Sequence, residues 1–393
     1  MRPRFLIHLN VLELIKIFFS KSNVRIFEKK FSRHFKLKFP LSFSYGRSAI
    51  FCFFKAMGIE KKEIIMPAYT CSVVAHAVTI SGNNPRFLDV NFDTFNFDNK
   101  DLLKNINKNT AAIILTNTFG VAQNVQEIKK IIKIFEKKFR SKIYIIQDCC
   151  HSFDAKYENE KITKYGDIIL FSFNISKTIT SIFGAITTFD DKKIYQKVKE
   201  YRDKNFLKKN TFAKLKRLIY IFLATIFFNQ KLYFITYFLQ KKTNVLKSLT
   251  DDHHLDEKIS FPNDYNTLLC DLEAKVGLNQ ILKYNQIKSK KIKISKFYSN
   301  FFKKNKKIKV LKFNVNNTYS HYPVIVKNKS KVIKIFEKEG IEIGEVIQYS
   351  IPDLKPYKNL KRFKNSSFLS KHVINLPNEY KIPEKILQKF ESI

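Results

Sequence analysis

From about residue 60 to about residue 190, short apolar runs alternate with helical patterns, and this alternation narrows the fold more than any other feature of the chain. Glu63-Ile64-Ile65-Met66-Pro67, Ala111 to Leu115, Ile143-Tyr144-Ile145-Ile146 and Asp167-Ile168-Ile169-Leu170 are short and rich in β-branched residues. They read as buried strands. Between the second and third, Ile128, Ile131, Ile132 and Phe135 recur at helical spacing and form the apolar face of a crossover helix. Repeated strand, helix and strand require a mostly parallel sheet flanked by helices, an α/β fold.

Open α/β sheets build their sites beyond the strand ends, and two runs place chemistry there. One ends in Asp148-Cys149-Cys150-His151-Ser152, a carboxylate followed by an imidazole. The other enters Phe171-Ser172-Phe173-Asn174-Ile175-Ser176-Lys177 from the Tyr165-Gly166 turn. In so lysine-rich a chain any single lysine is by default a surface residue. A lysine fixed past a strand end, with hydroxyls at Ser172 and Ser176, also suits covalent attachment of an aldehyde cofactor. Asp148 is placed to keep a pyridine nitrogen protonated, so that a pyridoxal ring can act as an electron sink.

On these residues the chain resembles the DegT/DnrJ/EryC1/StrS aminotransferases, the sugar-aminotransferase branch of the fold-type I pyridoxal-phosphate enzymes. In that family an Asp-small-small-Gln/His run precedes a Phe-Ser-Phe-x-x-x-Lys segment by about thirty residues, and both are present here in order. The resemblance implies a large domain with a mostly parallel central sheet flanked by helices, and a smaller C-terminal α/β domain. It implies pyridoxal 5'-phosphate as cofactor, with Lys177 and Asp148 catalytic and His151 touching the ring hydroxyl. Gly46, Arg47 and Ser48 fall on the Gly-Thr-Ala positions of a family segment that holds the cofactor phosphate, at a helix N-terminus suited to an anion. Ser172 joins them. Asn266 matches a residue that reaches the phosphate from a neighbouring subunit, which implies a homodimer. No metal is expected.

Three positions depart from the family pattern. Cys71 stands where an aromatic commonly stacks on the pyridine ring, leaving that role to Tyr69 or Phe119, although a plain core tyrosine explains Tyr69 equally well. Leu268 replaces an arginine, and Asp353 stands where a histidine is usual. The implied reaction moves an amino group from an amino acid, glutamate by family precedent, to a keto sugar linked to a nucleotide, for surface polysaccharide or glycoconjugate synthesis. The departures keep a second reading open: a catalytically impaired relative acting as a scaffold, regulator or membrane-associated component of a glycan pathway. Sugar dehydratases of similar fold lack the lysine that is present here as Lys177.

Residues 204–262 interrupt the resemblance and divide the chain into a cofactor domain with an N-terminal arm (1–203), a helical insertion (204–262), and a connecting helix with the small domain (263–393). Leu218 to Phe228 is apolar all round and Leu232 to Leu239 is apolar again, with Asn229-Gln230-Lys231 between them. Lys231 near the middle argues against one membrane span and for a hairpin of two short helices. Such a hairpin can pack on the protein, cover a partner, or make peripheral membrane contact through residues 215–240. The net charge of +38 (72 Lys+Arg against 34 Asp+Glu) raises nucleic acid or an anionic surface as partners. The lysines are dispersed, and no zinc-finger or RNP-like spacing supports nucleic acid. Five cysteines without a paired framework point to reducing cytoplasm, with the inner membrane face as the peripheral alternative.

Overall fold

A computed structural model describes residues 1–242, 258–305, 307–358 and 363–391. The chain opens with α1 (Val11–Phe19) and α2 (Val24–Phe35), followed by β1 (Leu41–Phe43) and α3 (Gly46–Ala56). β2 (Glu63–Pro67), α4 (Ser72–Ile80), β3 (Asn84–Leu88), α5 (Asn99–Asn105), β4 (Thr110–Leu115), α6 (Val125–Phe139) and β5 (Tyr144–Asp148) come next. A small hairpin, β6 (Lys156–Tyr157) and β7 (Glu160–Lys161), leads to β8 (Ile168–Ser172) and β9 (Ala185–Phe189). Seven strands form one sheet in the order β1-β9-β8-β5-β4-β2-β3. β3, β2, β4, β5 and β8 are parallel neighbours, while β9 runs antiparallel to both β8 and β1. The mostly parallel sheet read from the alternation is the sheet observed.

Both faces of this sheet are covered, which is why its strands read as nearly continuous apolar runs. Ile64, Met66, Ile114 and Leu170 face one core with Ile50, Phe53 and Val78 from α3 and α4. Ile65, Ile113 and Phe171 face the other, with Phe27, Phe31 and Phe35 from α2 and Ile128 and Ile132 from α6. The α2 phenylalanines are essentially fully buried, each worth about 2–3 kcal/mol of transfer free energy.

α7 (Lys192–Asn205) is followed by two helices in the insertion, α8 (Thr211–Phe227) and α9 (Tyr233–Lys242), the expected hairpin. The rest of the insertion, 243–257, lies outside the described residues. α10 (Asp271–Phe302) is far longer than the helical run visible around Leu272 to Leu278. It packs on α2 through Gly277, where a Cβ would come within 2.7 Å of the Phe27 ring. Beyond it, β10 (Lys309–Val310), β11 (Tyr322–Ile325), α11 (Lys329–Lys338), α12 (Lys364–His372), β12 (Val373–Leu376) and α13 (Glu384–Glu391) build the smaller unit. Its three strands form an antiparallel sheet in the order β10-β11-β12. Among the described residues no helix is long and apolar enough to cross a membrane.

Candidate active site

The parallel register of β5 and β8 sets Asp148 beside Leu170, so both strands deliver their C-terminal residues to one edge. Beyond β8 the chain forms a loop tied back on itself. Lys177 N donates to Asn174 O (2.9 Å), Ser181 N and Thr180 Oγ1 both donate to Phe173 O (3.0 and 2.9 Å), and Ile182 N donates to Thr180 Oγ1 (2.7 Å). Phe173 anchors the base, packed edge-on against Phe27 and Phe31. Lys177 is half-buried at this strand end, close enough to Asp148, Cys150, His151 and His321 to bias the proton affinity of each.

Asp148 is buried, and its Oδ1 accepts the Cys150 N–H at 3.0 Å. Burial raises its carboxyl above the ordinary value, with Cys150 and Lys177 opposing. His151 Nδ1 accepts the Phe119 N–H at 3.2 Å, which leaves the ring proton on Nε2. Its ring lies parallel to Phe119 (13° between planes, centroids 6.1 Å apart), and His321 stands 5.0 Å away, ring to ring. Burial first, then Lys177 and His321, holds the His151 imidazole well below its usual value. The neutral ring is therefore a hydrogen-bond donor through Nε2 at physiological pH.

A second group lies at the start of α3. Tyr45, the residue before the helix, supplies no side-chain cap, and the first helical bond is Ala49 N to Tyr45 O. The N–H groups of Gly46, Arg47 and Ser48 thus have no acceptor in the helix, which favours an anion. Gly46 faces β8 closely: a Cβ there would lie 3.7 Å from the Ser172 Cβ. Ser172 and the uncapped helix end therefore converge. Arg47 is buried beside the Tyr45 ring, its guanidinium carbon 5.8 Å from the centroid. The Ser48 hydroxyl donates to Tyr265 O at 2.6 Å, so its backbone N–H is the group available to an anion. Asn266 sits in the adjoining turn, its carbonyl accepting the Leu207 N–H at 2.8 Å.

Tyr69 lies behind Phe119, which separates it from His151. Fully buried between Phe95 and Phe119, it donates its hydroxyl to Ile347 O at 3.2 Å, as a core tyrosine does. Where the aromatic is missing, Cys71 is exposed at the start of α4, and Tyr349 meets that helix end. Its hydroxyl accepts the Ser72 N–H at 2.9 Å and lies 3.2 Å from Ser72 Oγ.

Several residues at or around the site were not singled out from sequence. His321 opens the strand region of β11 and reaches the site only because the small unit folds over the strand ends. Lys209 and Arg217 from the insertion meet the fully buried Glu273, at 3.4 Å each. Lys209 Nζ also donates to Leu268 O at 2.8 Å, so a cation from elsewhere occupies the corner where the motif lost its arginine. Arg217 pairs with Asp264 at 2.8 Å. Among the described residues no cluster of His, Cys, Asp and Glu could hold a metal ion.

The residues present fit pyridoxal phosphate: a buried carboxyl of raised proton affinity, a neutral imidazole donor, an amine just past a strand end, and a helix N-terminus without a side-chain cap opposite a serine. The chain belongs to the DegT/DnrJ/EryC1/StrS aminotransferase family, whose model matches residues 10–389. It is 23% identical over 401 residues to the GDP-4-keto-6-deoxy-D-mannose 3-dehydratase of Escherichia coli O55:H7, covering 95% of this chain and 94% of that protein. It is 28% identical over 185 residues to the GDP-perosamine synthase of Escherichia coli O157:H7, a match spanning 47% of this chain and about half (49%) of that one. Its fold matches the Helicobacter pylori aminotransferase involved in the biosynthesis of pseudoaminic acid with a TM-score of 0.71 at 21% identity, over 97% and 95% of the two chains.

Proposed function

We propose that this chain is a pyridoxal-phosphate-dependent aminotransferase that moves an amino group from an amino acid, glutamate by preference, to a keto sugar carried on a nucleotide. The observation that carries the reading is the grouping of Asp148 and His151 at the end of β5 with Lys177 in the loop beyond β8, close enough to both to bias their proton affinity. When bound, the cofactor supplies an electron sink at the carbon that loses its proton. Asp148 would hold the ring nitrogen protonated, and His151 Nε2–H would donate to the ring oxygen. Gly46, Arg47 and Ser48 would bind the phosphate through backbone N–H groups, with Ser172 beside them. In a homodimer Asn266 of a second copy would reach that end, beside the turn in which each chain's own Tyr265 carbonyl accepts from Ser48. Lys177 Nζ would hold the aldehyde and, once displaced, move the proton at the substrate carbon, an effectively intramolecular transfer.

The family relatives include both a synthase and a dehydratase by name. Lys177 favours amino transfer, because a positioned amine can return the proton that a dehydrating enzyme must instead send to a leaving hydroxyl. The test is a visible absorbance titration of the purified chain with pyridoxal phosphate, beside Lys177→Ala, followed by borohydride and peptide mapping. A band in the wild type alone, fixed by borohydride onto the Lys177 peptide and bleached by glutamate, is the expected result. No band and no labelled peptide would leave the scaffold reading in its place.

A further inference from the structure

We propose that the outer face of α1, α8 and α9 is a docking surface for an anionic lipid bilayer. α1 and α8 are held together from beneath: Leu14 and Ile17 of α1 pack with Ile221 and Ala224 of α8 in one buried cluster. α9 folds back on α8, where Thr236 Oγ1 donates to Phe227 O at 2.7 Å. The opposite face is apolar and open to solvent. Leu12 (71% exposed) and Phe19 (78%) of α1, Leu215 (51%), Ile219 (50%) and Phe222 (45%) of α8, and Phe234 (54%) of α9 all face water. An apolar surface spread over neighbouring helices is more than scattered exposed residues require, and it marks a contact surface.

Its charge says what the contact is. Between Thr211 and Lys242 there is no aspartate or glutamate, and the one carboxylate of α1, Glu13, is paired with Lys283 at 2.5 Å, whereas Lys214, Lys216 and Lys231 are exposed along the apolar stripe. A second copy docking by this face about a twofold axis would set these lysines against themselves, with no carboxylate from either helix to answer them. An anionic headgroup layer answers them directly, while the leucines and aromatics enter the acyl boundary. The helices are too short and too interrupted to span, so the chain lies on the surface.

The underside of the same hairpin touches the catalytic loop. The Arg217 guanidinium lies 3.6 Å from the centroid of Phe183, Tyr220 packs on that ring at 5.0 Å, and Ile175 and Ile182 join the buried cluster. Docking therefore holds the Lys177 loop about one helix diameter, roughly 10 Å, from the bilayer. This orientation needs no assumption about the reaction, so the two proposals stand or fall separately.

Co-sedimentation of the full chain with phosphatidylcholine vesicles and with phosphatidylcholine–phosphatidylglycerol vesicles is the first test. Binding to the second kind only, weakened by salt and weakened at least about tenfold by Ile219→Glu/Phe222→Glu, is expected. Equal partitioning with both kinds, or none, overturns the proposal. Because the double variant alters two helix residues, Phe222→Trp provides an independent reading: the chain has no tryptophan, so the introduced indole is the sole such fluorophore. A blue shift on adding anionic vesicles supports docking. An unshifted spectrum, or a blue shift that follows protein concentration without lipid, assigns the face to solvent or to a second copy and overturns it.

Discussion

Lys291→Met tests whether charge holds the small-unit side of the site in place. Lys291 Nζ lies 2.6 Å from Glu379 Oε1, and the two side chains are 3% and 4% exposed. The ammonium also donates to Asn378 Oδ1 (3.0 Å) and to the carbonyl of Ser320 (3.2 Å), the residue before His321. On its other oxygen Glu379 meets His8 Nε2 at 2.8 Å. Burial alone would push the Glu379 carboxyl up; Lys291 and then His8 overcome it and hold it at about 2, against an ordinary 4.5. A depression of that size corresponds to about 3 kcal/mol of stability at neutral pH. Because the folded-state value is the lower one, this contribution is complete above the ordinary carboxyl value and is lost as pH falls toward 2.

Removing Lys291 alone leaves a buried carboxylate with only His8 beside it, and the expected loss is about 3–5 kcal/mol. The pH dependence should change sign in the variant. With burial now dominant, the Glu379 carboxyl rises above its ordinary value, and stability increases as pH is lowered from neutrality into the mildly acidic range. Urea unfolding followed by circular dichroism at both pH values, on wild type, Lys291→Met, Glu379→Gln and the double variant, measures this. The double variant should recover much of the loss, since both charges are then gone. A single-variant loss under about 1 kcal/mol, or a double variant no better than its weaker parent, would show that the pair does not hold this region as argued.

Gly120→Ala should cost about 2–4 kcal/mol, because φ is +88° and a Cβ would come within 2.9 Å of Tyr319 N and His151 O; thermal unfolding reads it. Burial and its cationic neighbour keep His151 neutral, so the pH–rate profile should lack an imidazole limb near the ordinary value of 6.5. Its folded value is the lower one, so stability should also fall as pH drops below that ordinary value. Ser172→Ala should weaken pyridoxal phosphate binding by about tenfold in an absorbance titration, the worth of one hydrogen bond to a charged group.

The convergence of Asp148 and Lys177 was legible because it depends on local signals and one global rule. Asp148 ends β5 and Lys177 lies in the loop just past β8, and parallel pairing brings strand ends to one edge whatever else the chain does. His321 and Tyr349 carry no such signal; their places follow from how the small unit closes over the sheet. α8 misled in a different way. Its run from Leu218 onward is apolar all round, yet Ile219 there is exposed while Arg217, just before the run, is buried, the reverse of hydropathy. Burial there is set by the ion pairs to Asp264 and Glu273, partners on a different element of the chain. Tyr69 is buried with its hydroxyl on the Ile347 carbonyl, a partner in the small unit that no local signal announces.

Whether catalysis was kept can be argued from what the chain sustains at a cost. The departures at Cys71, Leu268 and Asp353 are each met by a local partner: Tyr349 at the α4 terminus, Lys209 on the Leu268 carbonyl, Ser367 Oγ donating to Asp353 at 2.6 Å. Asp148 has the Cys150 N–H as a partner and Lys177 nearby, yet burial outweighs both. Its folded carboxyl value is raised, chiefly by burial, so the protonated form is the one the fold favours. The associated stability is present at low pH and is lost as pH rises through the ordinary carboxyl range to the raised value, so at neutral pH the ionised group works against folding. A scaffold has no use for such a group, whereas a site that must hold a ring nitrogen protonated does. Asp148→Asn keeps the shape and the acceptor for Cys150 N–H while removing the charge. It should raise the unfolding midpoint of the cofactor-free chain at neutral pH, leave it nearly unchanged at low pH, and abolish transamination. An asparagine variant that is less stable at neutral pH would make the carboxylate a structural group and remove this argument for retained catalysis.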